Sequence, residues 1–252
     1  MPFILTGPLH ELLRLRDFSA GYETDLPIVK HVDMDISQGE AVCILGPNGA
    51  GKSTLIKAIA GQVRCLGGSV YLADDDITHA PSHALARRGL GFVPQTENIF
   101  TQMTIRENMQ IAAELLPKAR RAGQMQRLFD MFPDLKARPN TLAGALSGGQ
   151  RQMLAAARAL LTEPEVLILD EPSAGLSPKL VGQVFETLRQ IRAAGVTLVL
   201  VEQNVRAALD LTERALVLVD GRLAHDGPTG ALRDGKLLGE LFLGSRHAEE
   251  VV

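Results

Sequence analysis

The stretch GPNGAGKST, residues 46–54, restricts the fold more than any other part of the chain. It follows the apolar run AVCILG (41–46) and precedes a helical pattern near 52–61. Gly46, Gly51, Lys52 and Ser53 give the spacing G-x-x-x-x-G-K-[ST]. Such glycines let backbone N–H groups curl around phosphate oxygens, and a helix starting at that point adds partial positive charge. Lys52 then reaches the terminal phosphates, and the Ser53 hydroxyl ligates Mg²⁺. The chain must therefore hold a strand, a tight turn and a helix in that order. In an open parallel sheet, ligands gather at the carboxyl ends of the strands.

Short apolar runs recur along the chain and alternate with helical patterns. Strands are predicted at 41–46, 69–73, 90–93, 166–169, 197–201 and 215–219. Helices are predicted near 52–61, 104–116, 149–162, 179–193 and 204–211. Unbroken apolar strands alternating with helices argue for a mostly parallel sheet covered by helices. The first forty residues alternate more and carry turn signals, as in GYETDLP (21–27), which suits an antiparallel β-layer. Residues 97–163 read as a long, mainly helical insertion, in which TIRE (104–107) has capping-box spacing. KLLGELFLG (236–244) reads as a docking C-terminal helix.

Two further stretches carry chemistry. EVLILDEP (165–172) ends an apolar strand in Asp170 and Glu171. Adjacent buried acids are costly without a cation or a proton. Asp170 is expected to hold Mg²⁺ through water, and Glu171 to orient the attacking water. LSGGQRQMLAAARALL (146–161) opens with Ser147, Gly148 and Gly149 and runs into a helix, a second anion-binding end. LVLVEQNV (198–205) poses a question of its own: a buried strand runs straight into Glu202, Gln203 and Asn204. These are either a polar loop start or groups facing a ligand.

Composition excludes several alternatives. The net charge is −3, from 26 basic and 29 acidic residues, so no basic excess points to nucleic acid. KARR (118–121) lacks interleaved aromatics and reads as a solvated helix face. Cys43 and Cys65 form no zinc-ligand spacing, and Cys43 reads as a core residue. The six histidines are scattered without metal spacing. The N-terminal stretch meets Glu11 early and does not read as a signal peptide, and no apolar run is long enough to span a bilayer. The expectation is a cytoplasmic chain that sits on a membrane only through a partner.

Together these residues resemble one family, the nucleotide-binding subunits of ABC transporters. The resemblance covers about 12–243. It implies a single α/β P-loop NTPase domain: a RecA-like, mostly parallel sheet core with an N-terminal antiparallel β-layer (12–96 and 164–243). A helical subdomain is inserted at about 97–163, and 1–11 and 244–252 are tails. Gly46, Pro47, Asn48, Gly49, Ala50, Gly51, Lys52, Ser53 and Thr54 would cradle ATP. Ser147, Gly148, Gly149 and Gln150 look like the family signature, which caps the ATP held by the other subunit of a head-to-tail dimer. Tyr22 matches the aromatic that stacks on adenine, although a surface tyrosine of the β-layer fits it too. Gln95, in GFVPQTEN, matches the glutamine that touches Mg²⁺ and senses the membrane subunit.

Two positions depart from the family pattern. The loop Ala174, Gly175, Leu176, Ser177, placed at the dimer contact, usually ends in Asp where this chain has Ser177. Gln203 occupies the place of a histidine that contacts the γ-phosphate, so Glu171, Gln203 and Lys52 form the expected catalytic set. Gln donates a neutral hydrogen bond but brings no positive charge.

The stretches at 91–108, 171–178 and 200–205 together look like the branched-chain amino acid importers, with urea or amide importers close behind. The implied partners are a second ATPase subunit in a heterodimer or homodimer, membrane permeases and, indirectly, an extracytoplasmic solute-binding protein, on the cytoplasmic face of the membrane. Ile99, Phe100 and Met103 lie where a permease would dock, or are core. Two rival readings stand beside the transport motor. One is an ATP-binding module whose partner does the turnover. The other is a soluble ATPase of DNA repair, translation or cluster assembly, but the chain lacks the coiled-coil insertion or second nucleotide-binding half those carry.

Overall fold

The computed structural model describes residues 11–247, with side-chain burial through 242. The N-terminal stretch, His10 and most of the expected tails lie outside these residues. Two sheets organise the chain. The first is antiparallel, in the order β2–β1–β4–β5, from β1 (Glu11–Gly21), β2 (Val29–Ser37), β4 (Arg64–Leu72) and β5 (Asp75–Asp76). The second runs β10–β9–β3–β8–β7–β6. Its strands are β3 (Ala41–Leu45), β6 (Leu90–Val93), β7 (Val166–Asp170), β8 (Thr197–Val201), β9 (Arg214–Val219) and β10 (Arg222–Pro228). Strands β9, β3, β8, β7 and β6 are parallel, and only β10 at the edge runs antiparallel. The expected α/β architecture with a mostly parallel core and an antiparallel layer is what the chain forms.

The reason lies in the period-two pattern of three fully buried strands. In β3, Ala41, Cys43 and Leu45 enter one core while Val42 and Ile44 enter another. In β8, Leu198 and Leu200 face the first core and Val199 and Val201 the second. Strand β7 divides the same way. A strand apolar on both faces can only sit in the middle of a sheet covered on both sides. The second core also takes Leu13, Leu15 and Phe18 of β1 and Val32, Met34 and Ile36 of β2, so the antiparallel sheet covers that face. Burying each such Leu, Ile or Phe stabilises the fold by about 1.5–3 kcal/mol.

Helices supply the rest of the cover: α1 (Lys52–Ile59), the single turn α2 (Ser82–Leu85), α3 (Ile105–Ala113), α4 (Lys118–Met131), α5 (Pro133–Lys136), α6 (Gly148–Leu160), α7 (Pro178–Ala193), α8 (Val205–Leu211) and α9 (Lys236–His247). Helices α3 to α6 fall in the segment predicted to be a helical insertion between β6 and β7. The Thr104–Glu107 capping box starts α3: Glu107 N donates to Thr104 Oγ1 at 3.2 Å and Thr104 N to Glu107 Oε2 at 2.7 Å. KARR begins α4, where Arg120 pairs with Glu163 and Arg121 with Glu114. Leu238 of α9 is buried, and Leu237, Leu241 and Phe242 pack on the first core, as a docking helix should. Strand β10 and the first half of β4 were not foreseen, and α3 stops three residues short of its predicted end.

Parallel registry brings four strand ends together. Ile44 of β3 and Asp170 of β7 both pair with Val201 of β8, and Val93 of β6 pairs with Leu169. The loops leaving β3, β8, β7 and β6 thus emerge side by side along one edge. They carry the phosphate loop, Gln203, Glu171 and Gln95.

Candidate functional site

The phosphate loop is shaped by its glycines. Gly51 adopts φ +94° and is the N-cap of α1, a left-handed conformation that a side chain would strain. At Gly46 a Cβ would stand 2.2 Å from the Leu218 carbonyl oxygen, so only glycine fits. Asn48 and Gly49 are exposed at the tip, and Ala50 and Thr54 turn inward. Lys52 is buried and donates from Nζ to the carbonyls of Gly46 at 2.8 Å and Pro47 at 2.9 Å. Burial lowers its pKa, while the charges of Glu171 and Asp170 hold it up. A third Nζ–H is left for a phosphate oxygen.

The acids sit where β7 ends. Ser53 Oγ donates to Asp170 Oδ1 at 3.0 Å, across 117 residues of sequence. Burial raises the Asp170 pKa, with the Ser53 bond and the charges of Lys57 and Lys52 opposing it. A hydroxyl and a desolvated carboxylate in contact are hard oxygen donors of the kind Mg²⁺ takes. Glu171 leaves the strand at φ +47°, a left-handed conformation that is strained for a non-glycine residue. Its N–H is tied to the Val201 carbonyl at 2.9 Å.

Both expected amides meet at the Glu171 carboxylate. Gln203 Nε2 donates to Oε1 and Oε2, each at 2.9 Å. Gln95 Nε2 donates to Oε2 at 2.7 Å, which leaves its own Oε1 as an acceptor. Two loops from opposite sides of β7 thus fix one carboxylate between them.

The polar end of β8 separates into three tasks. Gln203 holds Glu171. Asn204 caps α8, accepting from Ala207 N at 3.2 Å. Glu202 is buried and accepts from Ser173 N at 2.9 Å, Ser173 Oγ at 2.8 Å, Gln203 N at 3.1 Å and Asn204 N at 3.2 Å. The sequence leaves Glu202 between a polar loop start and a ligand contact, and names no partner for it. An acid following the apolar run 198–201 was the available signal, but its partner Ser173 lies 29 residues away.

The remaining predicted residues lie around this centre. Tyr22 is 62% exposed and begins the turn that ends at Ile28. A Cβ on Gly51 would stand 3.3 Å from Ile28 Cγ2, so that turn lies against the phosphate loop. Ser147 and Gln150 form a capping box at the start of α6: Gln150 N donates to Ser147 Oγ at 3.3 Å, and Ser147 N to Gln150 Oε1 at 3.1 Å. Gly148 lies against Leu176 and Gly149 against Leu180. The signature therefore packs on the loop 174–177 of its own chain, and Ser177 is the N-cap of α7. Among the described residues no cluster of His, Cys, Asp and Glu could hold a metal by itself, and no helix is long and apolar enough to cross a membrane.

A family model described as ABC transporter matches residues 29–174, which include the phosphate loop, the signature and both acids. The chain belongs to the ABC transporter family. A probable branched-chain amino acid transport ATP-binding protein, LivF, of Archaeoglobus fulgidus is 40% identical, across 92% of this chain and 99% of the relative. The high-affinity branched-chain amino acid transport ATP-binding protein BraG of Pseudomonas aeruginosa is 37% identical, across 88% and 96%. The lipopolysaccharide export system ATP-binding protein LptB of Escherichia coli is 35% identical, across 82% and 87%. Among solved structures, a nucleotide-free ATP-binding cassette of an ABC transporter superposes with a TM-score of 0.81 at 25% identity, covering 92% of this chain and 98% of its own. A dimeric cassette in a post-hydrolysis state with ADP and Pi gives 0.75 at 25% identity, covering 86% and 99%.

Proposed function

We propose that the chain is the ATP-hydrolysing subunit of an importer for branched-chain amino acids. The observation that carries the hydrolytic part is the Glu171 carboxylate, held by Gln95 and Gln203 beside the Ser53–Asp170 pair. The loop 46–54 holds the phosphates, Lys52 neutralises the terminal one, and Tyr22 stacks on adenine. Ser53, Asp170 and the Gln95 carbonyl would hold Mg²⁺. When bound, that ion neutralises charge on the β- and γ-phosphates. Glu171 accepts a hydrogen bond from a water and aims its oxygen at the γ-phosphorus. The new P–O bond forms as the bond to the β,γ-bridging oxygen breaks, giving ADP and inorganic phosphate. Gln95 and Gln203 hold the carboxylate for that task, which is positioning more than proton chemistry.

Ser147 to Gln150 cap the ATP of a second subunit, and the loop 174–177 lines the contact, with Ser177 in the place of an Asp. Two nucleotides between two subunits make closure depend on ATP and opening on its loss, a ligand-biased two-state element. Either a different ATPase subunit or a second copy of this chain completes the pair. A groove of about 430 Å³ between β6, α3 and α6, lined by Phe92, Pro94, Asn98, Ile111, Leu115 and Arg158, suits a permease on the cytoplasmic face. Phe100 is 45% exposed beside it, under the Arg158 guanidinium at 4.5 Å. A solute-binding protein would act on the other side of the membrane.

The amino-acid assignment rests on the LivF and BraG relatives and on the stretches 171–178 and 200–205. A second reading, weak hydrolysis with most turnover in the partner, draws support from Gln203, whose donor is engaged by Glu171. The substrate test is reconstitution with permease subunits that co-purify with this chain. ATP-dependent uptake of leucine, isoleucine and valine is expected. Uptake of urea or an amide instead would reassign the substrate, and ATP-driven export would contradict the importer reading.

A further inference from the structure

We infer that Glu202 is a positioning residue for hydrolysis, tying the loop after Glu171 to the loop that carries Gln203. The inference rests on the hydrolytic reading above. Strands β7 and β8 stay in backbone register to Asp170 and Val201, and the last bond between them runs from Glu171 N to the Val201 carbonyl. Beyond that point the two chains part, and the groups that must meet, Glu171 and Gln203, lie on opposite sides of the split. Glu202 bridges it with one side chain. Oε1 accepts from Ser173 N at 2.9 Å, two residues past Glu171. Oε2 accepts from Ser173 Oγ at 2.8 Å and from the backbone N–H groups of Gln203 and Asn204 at 3.1 and 3.2 Å.

The chemistry of the position supports a role beyond filling space. Glu202 is 2% exposed and closes a strand whose other residues are all apolar or buried. Its four donors are all neutral, so the acid is buried without a cation, and burial raises its pKa. An apolar residue would avoid that cost. What the carboxylate adds is four fixed points on two separate loops. Those loops place Gln203 Nε2 at 2.9 Å from a carboxylate whose own backbone is held at φ +47°. A strained residue keeps its conformation only where its surroundings over-determine it. Glu202 is one of the groups that do so.

The test compares full-length wild type with Glu202→Gln, Ser173→Ala and the double variant. In Glu202→Gln an NH₂ group must face either the Ser173 N–H or the three donors on the other oxygen, so at least one contact becomes donor against donor. The expectation is a fall in kcat of about ten- to hundredfold, since small misplacements of catalytic groups carry factors of that size. KM for MgATP and the affinity for nucleotide stay within about twofold, because the side-chain hydrogen bonds of Glu202 and Ser173 run to each other and to the backbone of 173, 203 and 204, not to the phosphate loop. Ser173→Ala falls less, and the double variant is no worse than Glu202→Gln. A kcat equal to wild type in folded Glu202→Gln, or a rise in KM at constant kcat, overturns the inference while leaving the hydrolytic reading intact. Should Glu202→Gln fail to fold, Ser173→Ala decides by its own kcat. A wild-type chain without turnover, alone and with its partner subunits, removes the hydrolytic reading and this inference together.

Discussion

Replacing Gln203 by Ala tests what the amide at the end of β8 contributes to hydrolysis. The side chain gives one nitrogen to both Glu171 oxygens, at 2.9 Å each, so it counts as one shared, charge-assisted hydrogen bond. Such bonds are worth about 1.5–3 kcal/mol when the acceptor is ionised. Glu171 is 7% exposed, which favours the upper end. Gln203 itself is exposed, so water can enter when it is removed, which favours the lower end. Gln95 remains at 2.7 Å and keeps one carboxylate oxygen fixed. The balance is about 1.5 kcal/mol of lost positioning, or about tenfold in kcat. The assay is phosphate release at saturating MgATP, with nucleotide affinity measured by a fluorescent ATP analogue. Affinity should stay constant, since the bond lost is to the carboxylate and not to a phosphate. A kcat within about twofold of wild type would refute the reasoning, as would a change confined to KM.

Three other outcomes follow from the same structure. Tyr22→Ala should weaken nucleotide binding by about 1–2 kcal/mol, within the range for base–aromatic stacking, and leave the melting temperature unchanged because the ring is exposed. Asn108→Ala should destabilise the chain by about 2–4 kcal/mol in denaturant melts. The buried amide accepts from Phe100 N at 2.9 Å and donates to the Phe100 and Thr104 carbonyls at 2.9 and 3.0 Å. Cys43 is fully buried and burial pushes its thiol up to about 11, so iodoacetamide at pH 8 should leave it unlabelled until the chain is denatured. Half-buried Cys65 should label first, as read by mass spectrometry.

What the sequence made legible follows from where information is local. Strands β3, β7 and β8 stand out because both faces are apolar, and the phosphate loop because its glycines and Lys52 lie within nine residues. Strand β10 was missed because it is a half-exposed edge whose RLAHDGP ends in turn residues. Helix α4 announces itself weakly, since only Gln124, Leu128 and Phe129 are buried among its 14 residues. At the site, Asp170, Glu171, Gln95 and Gln203 could be named one by one, yet their meeting could not be read. Gln95 lies 76 residues and Gln203 32 residues from the carboxylate they share. From the sequence, Glu202 reads as either a loop start or a ligand contact. It is a brace instead, because two of its four donors come from Ser173, on a loop that only the fold brings near.

The most direct test of the central claim is ATP turnover of the purified chain across protein concentration, with Glu171→Gln beside it. A head-to-tail pair of active sites predicts turnover that rises more than linearly with concentration and collapses in Glu171→Gln while nucleotide still binds. Turnover that stays proportional to concentration and is unchanged by Glu171→Gln, with nucleotide bound in both, would contradict it.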